Sequence, residues 1–119
     1  MTITHSSPVL PAALMLHTSK GIEHIYVHEI VRIEAISNYS KLYFANGKTL
    51  VVAKVLRWFE ENQATAILLR PHRTHLVNRS YIQQYSKKKG GQIYLRNGEC
   101  IEVSRRKRTA FLSSWQAAA

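Results

Sequence analysis

Beyond residue 20 the chain alternates apolar and polar positions with a period of two, the spacing of a strand with one buried face. Ile22, His24 and Tyr26 oppose Glu23, Ile25 and Val27, so the first strand has two faces of mixed character. Val31 to Ile36 alternates cleanly and predicts a half-buried strand. The polar break Ser37-Asn38-Tyr39-Ser40 separates it from a strand at Lys41-Leu42-Tyr43-Phe44. Asn46-Gly47 suits the positive φ of a hairpin turn, and Thr49 to Val52 returns beside the strand before it.

The period then changes. Val52, Val55, Leu56 and Phe59 fall at i, i+3, i+4 and i+7, with Lys54, Arg57, Glu60 and Glu61 polar between them. This predicts an amphipathic helix lying on a sheet, its aromatic residues in the core. Residues 67–82 read as extended, with Pro71 at an edge or in a loop because it lacks a donor N–H. A further hairpin runs from Ile82–Tyr85 through Lys87-Lys88-Lys89-Gly90-Gly91 to Gln92–Leu95, and Asn97-Gly98 turns the chain into Glu99–Val103. Ser104 to Trp115 reads as a helix, capped by Ser104 and carrying an apolar stripe of Phe111, Leu112 and Trp115. The start, Met1 to Leu16, lacks a basic n-region and is interrupted by Pro8 and Pro11, so it reads as a mobile leader and not as a signal peptide. These boundaries predict a leader at 1–13, one mostly β domain at 14–116 with one or two short helices, and a tail at 117–119.

Composition narrows the function. A chain of 119 residues fits one domain able to bury a core without staples. Its 17 Lys and Arg face 7 acids, all glutamate, for a formal charge of +10. Most of that excess lies in the second half: residues 1–60 hold six bases and four acids, residues 61–119 eleven bases and three acids. Such clustering attracts phosphates, whether of nucleic acid or of an anionic surface. Cys100 is the single cysteine, which excludes an internal disulfide, suits a reducing cytoplasm and reads as a buried strand residue. No apolar run approaches the ~20 residues of a membrane span.

Three segments carry candidate chemistry. Ser104-Arg105-Arg106-Lys107-Arg108 puts four cations in the predicted first turn of a helix, where the dipole disfavours each by ~0.3–1 kcal/mol. An external anion relieves that cost, and DNA phosphate is the obvious one, with an arginine able to reach a guanine edge. Asn38-Tyr39-Ser40-Lys41 is a polar inter-strand loop bearing an amide, hydroxyls and a cation. Arg70-Pro71-His72-Arg73-Thr74-His75 holds two histidines, but zinc needs three or four ligands and Cys100 has no CxxC partner. His72 reads as a structural hydrogen-bonding residue beside Arg73. Lys88, within Lys87–Lys89, is either a phosphate contact or a solvated hairpin tip. No nucleophile with an oriented base is set up. The reading is therefore a binding module, not an enzyme, without metal or cofactor.

The same segments carry a family resemblance. Ile33-Glu34-Ala35-x-x-Asn38-Tyr39-Ser40-x-Leu42-Tyr43 with Asn46-Gly47-Lys48, then Arg70-x-His72-Arg73-Thr74-x-Leu76-Val77-Asn78-x-x-Tyr81-Ile82, then Gly91-x-Ile93-x-Leu95-x-Asn97-Gly98 with Val103-Ser104-Arg105-Arg106, resemble the LytTR DNA-binding domain in order along residues 20–112. The resemblance implies an elongated stack of antiparallel sheets with a short helix, reading the DNA major groove with loops. Carried over motif by motif, it puts base contacts at Ser40, Arg73 and Arg106. Tyr39, Lys41, Arg105 and Lys107 are implied on the DNA backbone, with Asn38, His72, Thr74, Ser104 and Lys88 in support. It implies a bacterial transcription regulator with double-stranded DNA as partner, a second copy on an adjacent half-site and a separate regulatory protein as further candidates, and no membrane. Thr74 stands where the family usually has serine, and His75 where it has an apolar residue. Most members carry a receiver domain phosphorylated on aspartate, and this chain has no aspartate. It is thus a stand-alone regulator or a fragment of something longer. The alternative reading is a non-specific polyanion binder of RNA or an anionic surface.

Overall fold

A computed structural model describes residues 11–117 of the chain. Ten strands and two α-helices follow in order: β1 (Ala13–Thr18), β2 (Gly21–Tyr26), β3 (Ile30–Ile36), β4 (Tyr39–Phe44), β5 (Thr49–Val52), α1 (Leu56–Glu60), β6 (Leu68–His72), β7 (His75–Asn78), β8 (Ile82–Ser86), β9 (Gln92–Leu95), β10 (Cys100–Glu102) and α2 (Arg108–Gln116). They form three antiparallel sheets: β1-β2, β5-β4-β3-β7-β6 and β10-β9-β8. The expected mainly β architecture of stacked antiparallel sheets with two short helices is what the chain adopts.

The five-stranded sheet is the middle layer, and three apolar doublets show why. Ile30, Leu68 and Leu76 belong to one core with Leu14, Leu16, Ile25, Leu42, Leu56 and Phe59. Their neighbours Val31, Leu69 and Val77 belong to a second core with Ile82, Ile93, Leu95, Ile101, Val103 and Phe111. Successive strand residues point to opposite faces, so an apolar pair in sequence means that both faces are covered. A register shift between Ile30 and Arg32 accommodates the first doublet. The first core is closed by the β1-β2 hairpin and α1, the second by β8-β9-β10 and α2. Asn78 is fully buried between them, donating from Nδ2 to the Ile30 carbonyl (2.9 Å) and accepting from the Ser80 N–H (2.9 Å), so neither end of its amide is wasted. Asn46-Gly47 and Asn97-Gly98 make like turns, each glycine at positive φ (88° and 92°) and each asparagine Oδ1 accepting from the N–H two residues on.

Several boundaries differ from the sequence reading, each for a tertiary reason. Strand β1 starts at Ala13, one residue before the predicted domain boundary, and Leu14 and Leu16 close the first core. The rest of the predicted leader, residues 1–10, and tail residues 118 and 119 lie outside the described residues. The stripe at Val52, Val55, Leu56 and Phe59 is not one helix. Val52 ends β5, Val55 is extended and 48% exposed, and α1 starts at Leu56. A strand end followed by a short helix imitates the longer period. Helix α2 starts at Arg108, four residues later than predicted. The Ser104 hydroxyl and carbonyl both accept from the Lys107 N–H (3.2 and 3.1 Å), closing a separate turn that carries Arg105 and Arg106 just ahead of the helix. Pro71 is where its missing N–H costs least, in the edge strand β6. Cys100 is in a strand as expected but exposed, because Ile101 takes the core side of β10.

The assignment of β1 to the folded domain has a direct consequence: Leu14→Ala should lower the unfolding free energy by about 2–5 kcal/mol in a urea titration. A change below about 0.5 kcal/mol, the size of an inert surface substitution, would detach β1 from the core.

Candidate nucleic-acid interface

The segments singled out by sequence lie far apart along the chain, yet backbone hydrogen bonds tie them side by side. The Ala35 N–H, near the end of β3, donates to the carbonyl of Thr74 in the β6-β7 turn (2.9 Å). The Ser104 N–H donates to the Pro71 carbonyl in β6 (2.8 Å). Beside it, His72 Nε2 is 3.4 Å from Glu102 Oε1. The loop carrying Lys87–Lys89 joins the same end: the Val103 N–H reaches the Gly91 carbonyl (3.0 Å), and Arg108 donates to the Gly90 carbonyl. The three predicted loops and the lysine-rich loop thus converge.

The β6-β7 turn is a two-residue connection, Arg73-Thr74, between the cross-strand partners His72 and His75. Arg73 is exposed at its tip. Its carbonyl accepts from Arg70 Nη2 (2.6 Å), while Arg70 Nε donates to the His72 carbonyl (3.3 Å) and Arg70 pairs with Glu60 on α1. Inside the turn Thr74 Oγ1 lies 2.8 Å from His72 Nδ1 and 3.0 Å from His75 Nδ1, and the Thr74 N–H donates to His72 Nδ1 (3.2 Å). The hydroxyl kept by the serine-to-threonine departure therefore braces two imidazoles. His75, partly buried in this bracket, is held neutral more firmly than a free histidine; burial lowers its pKa and outweighs the opposing charge of Glu34.

The remaining expected residues divide. Arg105 and Arg106 are exposed in the turn before α2, Ser104 and Lys107 half-buried at its ends, and Lys88 exposed in its loop. Asn38 is exposed, Tyr39 is 50% exposed, and Lys41 is half-buried beside the Tyr43 ring (5.2 Å). Ser40 requires a correction. It is 0% exposed, in β4 rather than a loop, and its hydroxyl donates to the Lys54 carbonyl (2.5 Å). That bond pins the segment after β5 to the sheet. The polar break that suggested a loop is a two-residue turn, Ser37-Asn38, and Ser40 already faces the core beside Leu42 and Ala35.

Sequence reading missed a polar cluster that binds the middle sheet to the third. Arg32 Nε and Nη2 clasp the Glu99 carboxylate (2.9–3.2 Å), and the guanidinium lies 3.7 Å from the Tyr43 ring centroid. The Tyr43 hydroxyl donates to Glu34 Oε1 (2.9 Å), and Glu34 Oε2 is 3.9 Å from His75 Nε2. Burial alone would lower the Arg32 pKa, but the hydrogen bond and charge of Glu99 more than reverse it. The same bond from Arg32 holds the Glu99 carboxyl below its ordinary value. The available signal was Arg32 and Glu34 standing on the second face of an otherwise apolar strand.

Charge accounting marks the converged end. Glu34, Glu60, Glu61, Glu99 and Glu102 face Arg32, His75, Arg70, Arg57 or His72. Glu23 and Glu29 line an open groove beyond the far end of β3 from Ser37. Among the described residues, Arg73, Lys87–Lys89 and Arg105–Arg108 have no carboxylate partner. No group of three or more His, Cys, Asp or Glu among those residues is placed to hold a metal, and no helix among them is long and apolar enough to cross a membrane.

The family model described as the LytTr DNA-binding domain matches residues 20–116. The chain belongs to the LytTR family. Its fold agrees with a solved LytTr DNA-binding domain from Bacillus cereus, from a protein described as a methyl-accepting/DNA response regulator. The TM-score is 0.73 at 20% identity, over 87% of this chain and 95% of that one. No curated protein matches the chain in sequence. As a LytTR domain it is a DNA-binding module of the transcription-regulator class, and the family is not an enzymatic one.

In this LytTR domain the Arg32–Glu99 bond carries a pH signature. Glu99 has a folded pKa below its ordinary 4.5, so its contribution is complete above that value and is lost as the pH falls through the lower folded one. Glu99→Gln should therefore be less stable than the parent at pH 7, and the gap should close in acid. Denaturation midpoints at pH 7 and pH 3 measure it; an equal gap at both would remove Glu99 as the titrating group.

Proposed function

We propose that this LytTR domain recognises a specific double-stranded DNA sequence and so regulates transcription in a bacterial cytoplasm. The observation that carries the reading is the convergence of Arg73, Arg105–Lys107 and Lys87–Lys89 on one end of the molecule, none of them paired with a carboxylate. Arg73 and Arg106 are exposed on short, braced loops, as side chains that enter a major groove and meet a guanine edge must be. Arg105, Lys107 and Lys88 hold the phosphates, with Asn38, Tyr39 and Lys41 on the adjoining hairpin. His72, Thr74 and Ser104 act indirectly, by fixing the turns that carry the arginines. Two copies on neighbouring half-sites, with a separate protein supplying the signal, complete the proposal.

Selection of bound duplexes from a random pool at about 150 mM salt tests it. A recurrent motif bound roughly 10³-fold or more tightly than random DNA is expected. A pool without enrichment, with binding that fades uniformly as salt rises, would make the chain a general polyanion binder. On the selected site Arg73→Ala and Arg106→Ala should each cost ~1–3 kcal/mol and relax preference at particular base pairs, whereas Lys88→Ala should weaken all sequences alike. Ser40→Ala should cost about 0.5–1.5 kcal/mol of folding stability through the lost bond to Lys54 and leave base preference untouched. Altered preference in that variant would restore Ser40 as a reader.

A further inference from the structure

The cationic end of the molecule also carries an apolar rung, in which Tyr39 of the family motif is joined by Ile36, a position that neither the charge pattern nor the motifs single out. Ile36 and Tyr39 are directly opposite each other, the last cross-strand pair of the β3-β4 hairpin. They are 43% and 50% exposed. Cross-strand pairing alternates faces, so they share the face of Glu34 and Lys41, opposite Ala35 and the buried Ser40. That is the face on which the second core, and with it α2, is packed. The Ala35–Thr74 hydrogen bond seats the rung next to the Arg73 turn. Beyond the rung, Ser37 holds a left-handed φ of 54° without being glycine. Two-residue hairpin turns take a positive φ at their first central position, so this is the geometry that joins β3 to β4 and sets Ile36 opposite Tyr39.

A β-branched and an aromatic side chain placed opposite each other stiffen a hairpin. That accounts for their pairing but not for the surface they leave to water at the tip that faces the phosphates. Cations flank the rung on both sides, Lys41 on its own hairpin and Arg73 across the Thr74 bond. A duplex drawn to those cations would bring its groove against the rung. In the major groove the one apolar group on a base edge is the thymine C5-methyl.

We propose that Ile36 and Tyr39 form an apolar reader of thymine methyl groups, and that Ile36 is a specificity-determining residue of this domain. The inference rests on the reading of the chain as a sequence-specific DNA binder and adds a chemical class of base contact to the arginines. It requires the selected site to contain a thymine next to the base pairs read by Arg73.

Replacing each thymine of the selected site in turn by deoxyuracil removes one methyl group and leaves every hydrogen-bonding edge intact. The parent domain should lose about fourfold in affinity at one or two positions, the effect of one buried methyl group, and be indifferent elsewhere. The loss should vanish in Ile36→Ala, shrink in Tyr39→Ala, and largely survive in Ile36→Val, which keeps most of the apolar surface. Circular dichroism and unchanged denaturation midpoints establish that the variants fold, and an unchanged affinity of Ile36→Ala for random DNA separates its effect from phosphate binding. A selected site that tolerates uracil at every position, that contains no thymine, or whose uracil penalty is the same in the parent and both alanine variants would overturn the proposal while leaving DNA recognition standing. A pool that yields no motif would overturn both.

Discussion

The five-stranded sheet has to bury both of its faces, and the arrangement of the cationic end follows from that requirement. Ile30-Val31, Leu68-Leu69 and Leu76-Val77 each send one side chain to either core. One face needs a lid from the first hairpin and α1, the other from the third sheet and α2. Seating Phe111 of α2 in the second core draws the turn that precedes it against β6, where the Ser104 N–H meets the Pro71 carbonyl. The turn bearing Arg105 and Arg106 is therefore placed beside Arg73 by the packing of a helix that contributes little charge of its own. Hydrophobic burial supplies the drive, and a handful of backbone bonds supply the register.

Electrostatics does the sorting. The bidentate Arg32–Glu99 contact is half-buried, where the desolvation of two charges offsets much of their attraction. Its geometry, supported by the Tyr43 ring and by Glu34, fixes how the third sheet sits on the second. It also occupies acids. Five of seven carboxylates face a cation or an imidazole and the other two line the far groove, so among the described residues none pairs with Arg73, Lys87–Lys89 or Arg105–Arg108. An outside polyanion is the natural partner of such an end, and burying some of its charge relieves the self-repulsion of a +10 chain. The Ile36–Tyr39 rung adds a contact of another kind, insensitive to salt and dependent on shape.

Much of this was legible along the chain. Alternation and turn signals locate seven of the ten strands and leave β6 and β7 within one extended stretch, the Asn-Gly pairs locate two hairpin turns, and the second-half charge excess points at phosphate. Arg73 and Arg106, named from motifs, are both exposed. The errors share one origin. Strand β1 goes unread because a short apolar stretch just after Pro11 does not announce its partner, and β1 exists by virtue of β2 and the first core. Val52 and Phe59 seemed to be one helix because a buried strand end and a short buried helix produce the same spacing. Ser40 lay in a polar run, and polarity along the chain does not reveal that a hydroxyl has a carbonyl waiting across a sheet. Cys100 was assigned inward when its neighbour Ile101 had the stronger claim on the core.

What the sequence determined by itself is the local part: strand rhythm, turn chemistry, the sign and location of the charge, and the residue types able to meet DNA. These follow from interactions within a few residues, which alternation and backbone preference encode directly. Only the tertiary structure decided which side chains are exposed, where each helix begins, and that loops at residues 37, 73, 88 and 105 meet at one end. Those outcomes depend on partners dozens of residues away, chosen by which apolar faces can cover each other, and no local pattern records that choice.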